Sequence, residues 1–318
     1  MTIKPAKNAF LPMRIGVGGF FHIEKRKADS GLITGVWDFH NNVTDAGLDL
    51  MATATPFAYG FAYPYNACTV GTGNTAPSNS DTTLASPIAS VGATDGADGS
   101  GTQTYVAGPP AYWQMVRTYQ FGTGVAAGNI AELGIYCSQV GTGTLFCREL
   151  VRDGSGNPTT ITVLSDEILI ITYTLRFYLD TSDYAGTINI GGTDYSYTRR
   201  LMDIDTIPTI QRALRQNSDS NAVTCRAYNG SLGTVTGSPS GSSNYVYMSL
   251  STYASGTRSL VVSGTFDVNS ANWSPGITAL SVQAAFHKYQ FGFATPIPKV
   301  TGQQLTVRFT LSWDRYAP

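Results

Sequence analysis

The imidazole supply of this chain is small: His22, His40 and His287, none at metal-ligand spacing from another histidine or from a cysteine. A histidine-based triad would need distant contacts, and no G-x-S-x-G elbow precedes a helical pattern. Gly16-Val17-Gly18-Gly19 superficially suggests a dinucleotide loop. It lacks the full glycine spacing and lies inside an apparent hairpin strand, so it reads as a place where backbones approach closely. Carboxylates could cleave a glycosidic bond as a flanking pair. Asp166 and Glu167, however, are sequence neighbours in a turn and are expected to face water. Asp203 and Asp205 precede a predicted helix, where N-terminal charge stabilisation accounts for them. Asp95 and Asp98 could give oxygens to calcium, but the ligand alternation of an EF-hand loop is absent. Cys68, Cys137, Cys147 and Cys225 form no CxxC pair and are expected to be reduced, buried, small apolar groups; Cys137 and Cys147 lie on adjacent predicted strands and could approach one another. No catalytic, cofactor-binding or metal-ligating residue is therefore assigned.

Aromatic residues are the better lead for binding. Tyr59, Phe61, Tyr63 and Tyr65 alternate through YGFAYPY, which puts all four on one side of an extended segment, and Pro64 argues for an edge or an arm. Exposed, the four would form a subunit or receptor contact; the alternatives are burial in the strip's own core and sugar stacking. Trp37, Trp113, Trp273 and Trp313 lie in predicted strands or at their ends and read as core.

The elements that would position these groups are mostly strands. Arg14 to Lys25 and Leu32 to Phe39 form a predicted hairpin across Ala28-Asp29-Ser30-Gly31, with Lys25-Arg26-Lys27 as a solvated hairpin end. Thr44 can cap a short helix from Asp45 to Met51. Cys68 to Gly108, rich in Gly, Ser, Thr, Asp and Pro, reads as a long surface loop. Strands follow at 113–121, 130–138, 144–151, 159–164 and 168–179, then a hairpin about Gly191-Gly192. Asp205 to Gln216, with Pro208 in its first turn, is the one convincing helix. Further strands are expected at 245–252, 258–268, 279–293 and 304–314. Many short strands, Gly-rich turns and little helix predict an antiparallel β-sandwich of jelly-roll or Greek-key type. Two packed β-regions are expected, 1–180 and 181–318.

Charged residues are 13% of the 318 residues, against roughly 25% in typical soluble proteins. Ser, Thr, Asn, Gly and Tyr must then cover much of the surface, which suits packing against copies of itself or other subunits. A formal net charge of −1 supplies no basic field for a phosphate backbone, so nucleic-acid binding is disfavoured. Met1 to Arg14 has no uninterrupted apolar core, and no run is long enough for a bilayer span. Synthesis in a cytoplasm, without membrane insertion, is the expectation.

Leu169 to Phe177, LIITYTLRF, returns as Leu305 to Trp313, LTVRFTLSW, with the match concentrated at alternate positions. That period of two marks both copies as half-buried strands. GNPTTITVLSDE (156–167), GNIAELGIYCS (128–138) and YQFGFATPIPKVTGQQLTVRFTLSWDR (289–315) resemble a family of tailed-bacteriophage virion proteins, described as tail or tail-fibre components. WDFHNNVTDAGLDLM (37–51) and CTVGTGNTAPSNSDTTLASP (68–87) share the resemblance, which does not extend to Tyr184–Ser259. It implies a non-enzymatic structural component of the virion, in the tail, baseplate or tip. Such a component would be a homo-oligomer that assembles with other phage tail or baseplate proteins, made in the bacterial host cytoplasm, and would carry no cofactor. The competing expectations are a module that recognises a host surface polysaccharide, a capsid decoration protein and, last, an enzyme.

Overall fold

The computed structural model describes residues 10–52, 67–94, 102–137, 143–202, 223–284 and 287–316. The chain forms two compact β units. The first comprises Gly16–Val106, Tyr112–Tyr178 and Asp314–Pro318, the second Met1–Ile15, Ala107–Ala111 and Leu179–Trp313. The units interleave along the chain: Leu11–Ile15 groups with the second, and Asp314–Tyr316 with the first.

The first unit is built on a long hairpin, β1 (Leu11–Lys27) with β2 (Ile33–Val43). Gly31, at φ +69°, takes the left-handed conformation that the connection needs. Thr44 then caps α1 (Asp45–Asp49): its hydroxyl accepts from Gly47 N–H at 2.9 Å and donates to Leu145 O at 2.6 Å. The region 68–108, expected as one surface loop, instead contains β3 (Ala67–Gly71), β4 (Pro87–Gly92) and β5 (Thr102–Val106). Next come β6 (Ala111–Phe121), β7 (Gly128–Ile130), β8 (Glu132–Tyr136), β9 (Leu145–Leu150), β10 (Ile161–Val163) and β11 (Glu167–Leu179). Neighbours run β1-β2-β9-β8-β3-β4, and β11 lies between β1 and β6. A bridge from Ala93, just past β4, to Tyr119 of β6 brings the path back on itself, so this sandwich is pinned along both sides.

The second unit carries β12 (Tyr184–Ile190), β13 (Thr193–Leu201), β14 (Thr224–Tyr228), β15 (Ser243–Tyr247), β16 (Ser249–Leu250), β17 (Ser259–Phe266), β18 (Ile277–Ala284), β19 (His287–Ile297) and β20 (Leu305–Arg315). One sheet has the order β12-β13-β19-β18-β14-β15, and facing it run β16-β17-β20. Their facing sides meet through pairs such as Phe291 and Phe309, ring centroids 5.4 Å apart. The antiparallel β-sandwich expected from the sequence is the architecture of the chain. The strand expected over 279–293 is two, β18 and β19, paired from Ala284↔His287 outward. Their apolar pattern runs on across the reversal without a Gly or Pro to signal it. The predicted helix 205–216 lies outside the described residues.

Both copies of the repeated strand bury the same alternate positions. Leu169, Ile171, Tyr173, Leu175 and Phe177 are enclosed in the first unit, and Leu305, Val307, Phe309, Leu311 and Trp313 in the second. Alternation matched to a one-sided core fixes their register, since a slip by one residue would turn every apolar group outward.

Candidate functional site

The best-built features of the two units are loops clipped by single buried polar side chains. In the first unit, Glu132 on β8 is fully enclosed, and three backbone N–H groups donate to its carboxylate: Gly73 at 3.2 Å, Ala85 at 3.0 Å and Ser86 at 2.7 Å. Arg148, beside it on β9, donates to Glu132 at 2.8 Å, to Asp81 at 2.7 Å and to Thr75 O at 2.8 Å. The excursion between β3 and β4 is thereby folded down, and Leu84 packs with Ala67, Tyr136 and Leu145. β3, β8 and β9 are consequently buried on both faces. That is why their sequences lack the alternation of a one-sided strand.

In the second unit the equivalent device is Gln290 on β19, also fully enclosed. Its Oε1 accepts from Gly233 N–H at 2.7 Å, and its Nε2 donates to Leu201 O at 3.2 Å, Thr234 O at 2.9 Å and Gly237 O at 3.1 Å. Arg200 adds a bond to Gly233 O at 2.6 Å while pairing with Asp183. Lys299 closes a third turn, donating to Asp267 O and Ser270 O at 2.6 Å each and to Asn272 Oδ1 at 2.8 Å.

In the first unit, side chains from four strands and from Tyr316 form a continuous aromatic strip that runs from exposed His40 through half-buried rings to the buried Tyr178. His40 on β2 lies 4.0 Å from Phe20 on β1, and the Arg176 guanidinium of β11 sits 3.9 Å from the Phe20 ring and 4.5 Å from Tyr112 of β6. Tyr112 meets Tyr178 at 5.4 Å, and Tyr178 stacks on Tyr316 at 3.5 Å. Gly16 and Gly18 let these last two rings lie against β1: a Cβ at Gly16 would stand 3.0 Å from Tyr316 and one at Gly18 would stand 3.2 Å from Tyr178. Gly19 faces the interior instead, where a Cβ would collide with the Tyr173 hydroxyl and Asn41. The glycine run thus serves close approach, of side chains to backbone, as strand packing requires.

Electrostatics distinguish the two histidines on this hairpin. His22 bonds to Asp38 at 2.8 Å and to Glu24 at 3.2 Å. Burial pulls its pKa down, but the two carboxylates outweigh that and hold it above the usual 6.5. His40 is held below 6.5 by burial and by the charge of Arg176. Opposite shifts on adjacent strands follow from the partner each ring faces.

Other sequence-derived candidates separate clearly. Tyr59, Phe61, Tyr63 and Tyr65 lie outside the described residues, as do Asp95, Asp98, Asp203 and Asp205. Asp166 is exposed as expected, but Glu167 is not: its side chain is 2% exposed. Leu164 N–H donates to it at 2.9 Å, and Lys25 and Lys27 lie 3.3 and 3.6 Å away. Burial alone would raise its pKa; the Leu164 hydrogen bond and the two lysines hold it below the carboxylate norm. The basic run is accordingly not a solvated end, because two of its members neutralise a buried charge across the sandwich edge. No disulfide links the four cysteines. Burial pushes the Cys147 thiol up to about 12 and raises Cys68, Cys137 and Cys225 as well, so these thiols stay protonated at neutral pH. Among the described residues, no group of three or more His, Cys, Asp or Glu side chains could hold a metal ion, and no helix is long and apolar enough to cross a membrane. Trp113 and Trp313 are core residues, whereas Trp37 is half-buried over Gly35 and Trp273 is also half-buried.

No protein-family model, curated protein or solved structure matches the chain.

Sequence reasoning missed the clips and the strip for a common reason. Glu132, Arg148 and Gln290 sit in apolar-looking strands, and the strip is assembled from positions up to 296 residues apart, Phe20 to Tyr316. Only ELG in β8 and CRE in β9, charges inside otherwise apolar strands, carried a local signal.

Proposed function

We propose that this protein is a non-enzymatic structural component of a tailed-phage virion, in the tail or its tip, assembling as a homo-oligomer with other tail proteins. The observation that carries the reading is the strip His40–Phe20–Arg176–Tyr112–Tyr178–Tyr316 of the first unit, in which His40 is exposed, Phe20, Arg176, Tyr112 and Tyr316 are half-buried, and Tyr178 is the buried link between the last two rings. Aromatic residues and arginine are the types that dominate the energetics of protein–protein contacts, and their mutual packing lowers the ordering cost of meeting a partner. The tip of the β1–β2 hairpin adds apolar area, with Leu32, Ile33 and Val36 exposed by 64%, 47% and 48%. A weakly charged exterior supports the same reading, as does the resemblance of several segments to tail proteins. Repeated identical contacts in a closed oligomer would multiply modest interfaces into a stable particle.

The test pairs mass spectrometry of purified phage particles with light scattering of the isolated chain. Presence in particles and an oligomer in solution are expected. Replacing Tyr112 with Ser and Arg176 with Ala together should weaken the contact by about 2 kcal/mol or more, roughly thirtyfold in dissociation constant. A strictly monomeric chain that is missing from particles overturns the proposal.

A further inference from the structure

The aromatic strip is one outward-facing feature; the second unit carries another of different chemistry. On its six-stranded sheet, alternate residues of β12, β13 and β19 turn away from the core and floor an open groove of about 780 Å³. The exposed part of the floor is made of short side chains, Thr187, Ser196, Thr198, Gly292 and Ala294; Tyr197 and Phe293 also border the groove but are largely buried, and Ile188 and Tyr195 are buried. One wall is the stretch Gly230–Leu232, whose conformation is fixed by the Gln290 and Arg200 bonds to Gly233 and by Thr278, whose hydroxyl bonds to Tyr228 O and Gly230 O. Leu232 packs closely over Gly292, where a Cβ would stand 3.1 Å from its side chain. Among the described residues, no Asp, Glu, Lys, Arg or His lines the groove.

We infer that this groove is a binding site for an uncharged saccharide chain. Three features select that ligand class. The lining has no ionisable side chain of these types, so a uronic, sialic or phosphorylated sugar would lose its hydration there without gaining a counter-charge. Hydroxyls on two adjacent strands, Thr187, Ser196 and Thr198, offer both donors and acceptors at the spacing of neighbouring strands, which suits the hydroxyl-rich rim of a neutral sugar. Ala294 and the Leu232 methyls offer small apolar surfaces for the C–H faces of the rings. A protein partner fits less well, since the lining has no arginine and its two aromatic residues, Tyr197 and Phe293, are buried and cannot act as the anchors that hold such contacts. The wall is already ordered by Gln290, so a ligand would not meet the cost of folding a loop on arrival. The site lies in the second unit and is independent of the strip, so the inference does not depend on the assembly role proposed above.

The test uses the full chain with methyl and backbone labels and a panel of neutral oligosaccharides: maltoheptaose, cellohexaose, a galactose hexamer and a mannose hexamer. An oligogalacturonate and a decapeptide copying Ser243–Thr252 serve as contrasting probes. Binding of at least one neutral member at millimolar or better strength is expected, with shifts concentrated at Ala185, Ala294, Leu232 and Thr198. Ser196→Trp and Ala294→Trp, both at outward positions, should each fill the groove and weaken that binding about tenfold or more with unchanged melting. Thr198→Val, nearly the same shape, should weaken it less. Absence of shifts with every neutral member overturns the inference. So does preference for the galacturonate or the peptide, and so does binding that both tryptophan variants leave intact.

Discussion

Glu132 shows how much one side chain can organise when it is buried with partners. Its carboxylate and the Arg148 guanidinium, 0% and 3% exposed, neutralise each other and between them bond to backbone at Thr75, Gly73, Ala85 and Ser86. Removing Arg148 leaves the enclosed Glu132 charge without a counter-ion, and removing Glu132 leaves Arg148 only Asp81, and three backbone N–H groups without their acceptor, so Glu132→Ala or Arg148→Ala should each destabilise the first unit by about 3–5 kcal/mol. Denaturant unfolding followed by tryptophan fluorescence measures this, and the double variant should cost less than the sum of the two. By NMR, His22 should titrate above 6.5 and His40 below it. The signs then oppose each other. His22 contributes stability that is complete below its unfolded value and lost as pH rises through its raised folded value; the contribution of His40 is complete above 6.5 and lost as pH falls through its lowered one. Arg176→Gln should return His40 towards 6.5 while leaving His22 in place.

Among the elements, the repeated strand was fully legible and the clipped strands were not. LIITYTLRF and LTVRFTLSW bury alternate residues as their spelling implies, because each has one face on a core and one towards solvent. ACTVG in β3, ELGIY in β8 and LFCREL in β9 are buried throughout, so no alternation exists to be read, and β3 was absorbed into an apparent loop. Turn chemistry was dependable where the side chain itself closes the turn. Asp153 accepts from Ser155 and Asn157 N–H at 2.9 Å each, and Gly191-Gly192 joins β12 to β13. Loop order, by contrast, depends on distant residues. Gln290→Leu should leave β19 in place but remove three hydrogen bonds from the loop above it, along with the one to Leu201 O at the end of β13. Amide exchange across 231–240 is then expected to quicken at least tenfold while that of the β13–β19 ladder changes little, with a global loss of about 1–3 kcal/mol.

Across the whole molecule, the tip of the β1–β2 hairpin is a concentration of exposed apolar side chains, Leu32, Ile33 and Val36. Ile33→Asp with Val36→Asp places charge on side chains that are about half exposed, so the isolated fold should retain its melting temperature. Self-association, followed by sedimentation velocity, should fall by an order of magnitude or more if the tip is buried between subunits. Unchanged association would confine assembly to other surfaces, the aromatic strip first among them.

Composition and period settled the class of this protein: few charges, many glycines and alternation at twos can be satisfied by antiparallel sheets and by little else. Local chemistry also determined the Thr44 cap, the hairpin turns and the paired burial of the two related strands, since each depends on residues a few places apart. The clips, the strip and the groove were decided by tertiary structure alone. Each brings together side chains from strands remote in sequence, and a carboxylate or amide inside an apolar strand declares its partner only when the backbone N–H groups that it must satisfy have been folded over it.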